Sequence, residues 1–234
     1  MTNHRAKAGV AAFDTSSGAG GAVSLTASMR DGTRELHTRA ERSGIINDIL
    51  RGKASRYGYA LFLRNLLPAY EQLEAALEAR RDALPVSAAA RRELYRAPSI
   101  RSDLNALTDG DWERTLALLP SGETYALRIA AVAHDQGGRL IAHAYARYFG
   151  DLSGGQVLKR LLARAPGLQP AELSFYDFKD IVDTEDFKQR YREAINNSAA
   201  AIADVPAVVD EAMAAFALNI AVSEDVQRLS LAVA

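Results

Sequence analysis

The sequence predicts an all-α fold in one domain, and three observations carry that expectation. From Leu25 onward, apolar residues recur at helical spacing in nearly every segment. The β-branched alternation of half-buried strands is absent. Turn-forming Ser, Asp, Gly and Pro fall between the periodic stretches. With 234 residues, 48% of them hydrophobic, the chain can build one large core. No internal repeat and no low-complexity linker after residue 24 divides it.

Taken in order, residues 1–24 are rich in Ala, Gly, Ser and Thr without helical period, which marks a mobile extension outside the fold. The domain is expected over 25–234. A first helix runs from about Leu25 to Arg42, with Met29, Thr33, Leu36, His37 and Ala40 on one face. A long second helix starts at Ser55, a suitable N-cap, and continues through LFLRNLLPAYEQLEAALEARR. Pro68 inside it removes one backbone hydrogen bond and should bend it. Shorter helices are expected around Ala88–Tyr95, from Ser99, and after Pro120. Next comes a helical RLIAHAYARYF, then GDLSGG, then a helical QVLKRLLARA. Thr184 is expected to cap DFKQRYREAI, with Glu185 and Asp186 placed against the helix dipole. A last helix covers about Pro206 to Leu229.

Composition narrows the function classes. Lys plus Arg (28) nearly cancels Asp plus Glu (29), so a net charge of −1 gives no overall field for nucleic acid. The absence of cysteine removes disulfides, thiolate metal sites and cysteine nucleophiles, and fits a reducing cytoplasm. Any imidazole ligand must be His4, His37, His134 or His143. The most apolar stretch, Ala212–Val222, is shorter than the ~18–20 residues of a membrane span and contains Asn219. No apolar core follows His4, Arg5 and Lys7, which argues against a signal peptide. A soluble, cytoplasmic protein is expected.

Three features carry chemistry, each with two readings. Gly150, Gly154 and Gly155 interrupt flanking segments that favour helix, and each glycine costs about 1 kcal/mol relative to alanine there. Gly150 either ends one helix while Ser153 caps the next, or the helix continues with a kink and brings bare backbone close to a flat ligand. In the second case Asp151 is a polar group aimed at that ligand. His37 is either a core histidine or a metal ligand with Glu41, one turn on, supporting its second ring nitrogen. Lys188 and Arg192, also one turn apart, form either a solvated face or a clamp for ligand carboxylates.

Four strings then add to these readings. HAYARYFGDLSGGQVLKR (143–160), TRELHTRAE (33–41), FKQRYR (187–192) and AFALNI (215–220) closely resemble the signatures of the heme oxygenase family, in its order and with comparable spacing. The resemblance covers roughly Leu25 to Leu229. It implies a single-domain multi-helix bundle that holds heme between a proximal helix and a kinked distal helix. It implies that His37 ligates the heme iron with Glu41 behind it. Gly150 and Gly154 would bring the distal backbone over the porphyrin, and Asp151 would order the proton-delivering water with Arg147 and Tyr70. Lys188 and Arg192 would hold the propionates, with Arg30 joining them and Tyr145 at the heme edge. Arg30 replaces a lysine common in animal members, which keeps the charge and changes the geometry. Phe216 and Asn219 would line the pocket, and His143 would be structural.

The implied reaction is cleavage of heme b, substrate and cofactor together, to biliverdin, carbon monoxide and ferrous iron with O2. No flavin or nicotinamide motif is visible. Electrons would therefore come from a partner protein, a ferredoxin or a flavoprotein reductase. Neither a nucleic acid nor a membrane partner is expected, and a monomer is. The competing reading is a heme-binding or heme-trafficking protein without turnover.

Overall fold

The computed structural model describes residues 24–135, 137–165 and 167–233. The expected N-terminal extension lies outside the described residues apart from Ser24, whose hydroxyl accepts a hydrogen bond from the Ala27 amide (3.3 Å) and caps α1, Leu25–Glu41. No strand occurs among the described residues. Buried Leu25, Met29 and Thr33 put one face of α1 against the core.

A short helix that periodicity did not reveal, α2 (Gly44–Leu50), follows at once. Gly44 makes the corner possible. Its φ is +56°, and a Cβ there would lie 2.2 Å from the Ser223 backbone. The Ser223 hydroxyl fastens the corner, accepting from the Ile46 amide (3.2 Å) and donating to the Ser43 carbonyl (3.1 Å).

The central element is α3, Arg56–Ala79, capped by Ser55, which accepts from the Gly58 amide at 3.0 Å. Tyr59, Leu61, Leu63, Leu66, Tyr70, Leu73 and Leu77 are all buried. Such burial around most of the circumference marks a core helix. The helix runs through Pro68 without ending, because packing on all sides outweighs one lost hydrogen bond.

Two expectations are corrected after α3. The segment around Ala88–Tyr95 forms two short 3-10 turns, Val86–Ala88 and Arg92–Leu94, in place of one helix. Helix α4 spans Ala97–Thr108, opening before Ser99. The reason is tertiary: the Glu74 carboxylate on α3 accepts from the Arg96 and Ala97 amides (2.5 and 3.1 Å) and so caps α4 from a distance.

A single-turn α5 (Trp112–Thr115) and α6 (Pro120–Val132) come next, then α7, Gly138–Ala144. Beyond the site described below, α8 is Gly150–Leu162, α9 is Thr184–Ser198 and α10 is Val205–Val233. Asp183, not Thr184, caps α9. Its carboxylate accepts from the Glu185 and Asp186 amides, both at 3.0 Å, and Thr184 becomes the first helical residue. The 29-residue α10 is long and apolar enough, by length and composition, to cross a membrane. In this fold it packs across α1, α2, α3, α6 and α7. Its Glu211, Asn219 and Ser223 find hydrogen-bond partners inside the protein.

Candidate functional site

The sequence left two readings of the glycine run, and the structure selects the continuous one. From α7 the helix passes through a π-helical turn, Tyr145–Phe149, directly into α8. The wider i→i+5 turn resolves the conflict between helix-favouring flanks and a needed change of direction, and such turns cluster at functional sites. Arg147 lies inside the π turn, and Gly150 opens α8.

The glycines of α8 differ in what they face. A Cβ on Gly150 would meet nothing within 4 Å. A Cβ on Gly155 would lie 3.0 Å from Cδ1 of Tyr176. Tyr176 is pressed there by a stapled segment. Buried Asp103 accepts from the Ser174 and Phe175 amides (2.9 and 2.8 Å), and Gln156 donates to the Tyr176 carbonyl (2.8 Å). Burial raises the Asp103 carboxyl above its ordinary value, against the lowering pull of these donors.

In front of α8 lies a cavity of about 650 Å³, within the ~300–1,000 Å³ of small-molecule sites. His37, Ala40 and Glu41 of α1 line it, together with Gly150, Asp151, Ser153 and Gly154 of α8. Phe216 and Asn219 of α10 line it, as do Tyr145, Arg147 and Lys188. His37 directs Nδ1 toward Glu41 Oε1 at 3.7 Å, an ion-pair distance too long for a hydrogen bond. The His37 ring stands 5.9 Å from the Phe216 ring. Glu41 Oε1 is buried and accepts no hydrogen bond.

Around Asp151, the polar residues form one connected network. Asp151 accepts from the Tyr70 hydroxyl through Oδ2 (2.5 Å) and from Arg147 through Oδ1 (3.3 Å). Arg147 also donates to the Tyr70 oxygen through Nε (2.9 Å) and Nη2 (2.7 Å), and to Asn219 Oδ1 through Nη1. Asn219 in turn donates to the Tyr125 hydroxyl (3.4 Å). Burial pushes the Asp151 carboxyl up, while Arg147 and the Tyr70 hydroxyl pull it down. Burial likewise raises the Tyr70 hydroxyl. For Arg147, burial works against the charge, but Tyr70 and Asp151 outweigh it and its pKa is raised. The guanidinium stays charged and holds a polar cluster together.

The basic residues divide. Lys188 lines the cavity, whereas Arg192 and Arg30 do not. Arg192 donates to Gln189 Oε1 (2.7 Å) and lies 5.8 Å from the Phe149 ring. Arg30 pairs with Asp31 at 3.5 Å. Both are near Tyr145, whose hydroxyl burial pushes up to about 12 while the two arginines pull it down. The sequence missed Arg160, a further cation on the cavity lining, because its spacing from Lys188 along the chain carries no signal. It also missed Tyr125 and Tyr176, which read as core tyrosines until the fold brings them to the site. His143 is fully buried, and its Nε2 lies 3.0 Å from Glu211 Oε1, away from the cavity. His134 is exposed, and His4 lies outside the described residues.

Comparisons with known proteins point the same way as this geometry. The family model described as heme oxygenase matches residues 23–225. Heme oxygenase 1 of Synechocystis sp. is 34% identical over 197 residues, covering 84% of this chain and 82% of the relative. Human heme oxygenase 1 is 34% identical over 209 residues, 88% of this chain and 72% of the relative. The crystal structure of the Synechocystis heme oxygenase-1 in complex with heme superposes with a TM-score of 0.84 at 32% identity, covering 90% of this chain and 96% of that one. A heme oxygenase structure from Leptospira interrogans gives a TM-score of 0.80, also at 32% identity, over 86% and 99%. With a family match over most of its length, and a cavity built from the residues that carry the family's signatures, this chain belongs to the heme oxygenase family and is a heme-degrading oxygenase.

Proposed function

We propose that the cavity would hold heme b between α1 and α8, with His37 holding its iron and Asp151 organising proton delivery. One observation supports this reading: His37 of α1 and Gly150, Gly154 and buried Asp151 of α8 line the same cavity. The residues fit a flat metalloporphyrin. A Cβ on Gly150 would meet no protein atom within 4 Å, and Gly150 lines the cavity, so the space beside it is open to a flat ring. Buried, unpartnered Glu41 Oε1 is an acceptor beside His37 Nδ1. Since Nδ1 turns to Glu41, Nε2 is the nitrogen assigned to the iron.

Bound heme supplies both the iron that activates O2 and the ring that is opened, giving biliverdin, carbon monoxide and ferrous iron. The chain's own residues set the conditions. Gly150 and Gly154 keep their part of the cavity lining bare, which would leave room for O2 beside a bound ring. Asp151 orders water there, and its position is fixed by Tyr70 and Arg147. Its raised pKa keeps it able to hold and release a proton nearer neutrality than an exposed carboxyl. Lys188, on the cavity lining, would take a propionate directly, while Arg192 and Arg30, outside that lining, would join it by turning from Gln189 and Asp31. Electrons arrive from a ferredoxin or a flavoprotein reductase. The enzyme works as a cytoplasmic monomer.

The test is spectroscopic. Hemin is added to the protein, followed by reductant and air. A Soret complex that decays into a biliverdin band, with the decay abolished by Asp151→Asn, is the expected result. A stable complex that never yields bilin would overturn the assigned turnover chemistry. For the ligand, His37→Ala should stop turnover until imidazole is added, and normal turnover without imidazole would refute the assignment.

A further inference from the structure

The ammonium of Lys188 is already engaged by a carboxylate of the chain itself. Lys188 is largely shielded, at 12% side-chain exposure, and its Nζ lies 2.6 Å from Oε1 of Glu185, one turn earlier on α9. The Ser153 hydroxyl of α8 lies 3.5 Å away on the other side. Glu185 is 83% exposed and lines the same cavity. Glu185 and Ser153 thus take two of the ammonium's three donor directions, and Glu185 is the charged acceptor of the two. The proposed propionate clamp needs the same atom.

We propose that Glu185 is a displaceable internal competitor for Lys188, so that a ligand carboxylate binds by exchanging with it and leaves as it returns. This rests on the reading of Lys188 as a carboxylate-binding residue and adds a device to it. The two halves of the pair are suited to exchange. Lys188 is held in place by its surroundings, whereas Glu185 has a clear path into water and loses little on release. Glu185 also has a second reason to remain near the site. It occupies the first turn of α9, where the helix dipole favours an acid whether or not Lys188 is engaged. The pair therefore weakens binding of an anionic ligand modestly and shortens its stay. It leaves a ligand without carboxylates unaffected. For an enzyme whose product carries the same two carboxylates as its substrate, the consequence is faster release of product.

The size follows from the pair. An (i, i+3) ion pair with one exposed partner contributes a few tenths to about 1 kcal/mol. Removing the competitor should therefore tighten a carboxylate ligand about two- to five-fold. The experiment measures dissociation constants and off-rates of hemin and of hemin dimethyl ester, whose carboxylates are blocked, for wild type, Glu185→Gln, Lys188→Gln and the double variant. Exposed Glu185→Gln should fold normally, and circular dichroism checks this. The inference expects Glu185→Gln to tighten hemin and slow its release, to leave the diester unchanged, and to have no effect once Lys188 is gone. Unchanged hemin binding in Glu185→Gln, or equal tightening of the diester, overturns the competitor role. If Lys188→Gln still weakens hemin in that case, the clamp reading survives alone. If Lys188→Gln does not weaken hemin, the clamp fails and the competitor role falls with it.

Discussion

Two neighbouring tyrosines should respond in opposite directions to the same substitution. Tyr70 and Tyr148 are both fully buried, and their rings lie 6.4 Å apart. The Tyr70 hydroxyl donates to Asp151 and accepts twice from Arg147, whereas the Tyr148 hydroxyl has no hydrogen-bond partner. Tyr70→Phe removes contacts to two ionised groups and leaves part of Arg147 unpaired in a buried setting. Hydrogen bonds to charged groups contribute about 1.5–3 kcal/mol each, and they are not additive, so a loss of about 2–4 kcal/mol is expected. For a domain of this size that lowers Tm by roughly 4–15 °C. Tyr148→Phe removes a hydroxyl buried without compensation and should be neutral or stabilising by up to about 1 kcal/mol. Urea unfolding and thermal melts of the two heme-free variants measure both values. A Tyr70→Phe loss no greater than that of Tyr148→Phe would refute the claim that the network around Asp151 holds the distal side together.

Four further outcomes follow from the geometry. Gly150→Ala should raise the stability of the heme-free protein by about 0.5–1 kcal/mol, because its Cβ meets nothing, while lowering the bilin yield from hemin. Gly155→Ala pushes against Tyr176 and should cost about 1–3 kcal/mol in the same unfolding assay. Glu211 is lowered to about 2: burial acts upward, and the His143 and Arg128 hydrogen bonds more than offset it. Its contribution to stability, about 3 kcal/mol from the fall below the ordinary 4.5, is complete above pH 4.5 and lost as pH drops toward 2. Glu211→Gln should therefore be destabilised at neutral pH and converge on wild type in acid, read from urea midpoints. Glu74 has the opposite sign. Burial raises it to about 7 against its backbone donors, so the native state takes up a proton that the unfolded chain releases. Wild type should lose about 3 kcal/mol from this group as pH rises from 4.5 to 7, and Glu74→Gln should flatten that slope.

The sequence by itself determined the helical class and the long elements, and it pointed to a minority of the residues that line the cavity. Helical periodicity is local, so α1, α3, α6 and α10 were legible from their own residues, as was the Ser55 cap. His37, Asp151 and Lys188 were legible because their motifs are contiguous strings. Tertiary structure decided what depends on residues far apart in the chain. Helix α4 begins where Glu74, 23 positions before Ala97, reaches across to cap it. The turn into α2 exists because Gly44 passes against the Ser223 backbone. The glycine run stayed ambiguous for the same reason. A helix–turn–helix and a helix with a π turn have the same local preferences, and packing chose the second by setting Gly155 on Tyr176 while Gly150 faces the cavity. Among the cations, the family resemblance implied Lys188 and Arg192 together as one clamp. Of these two, the fold put Lys188 on the cavity lining and gave it Glu185 as a partner, because direction and burial of a side chain are properties of its surroundings.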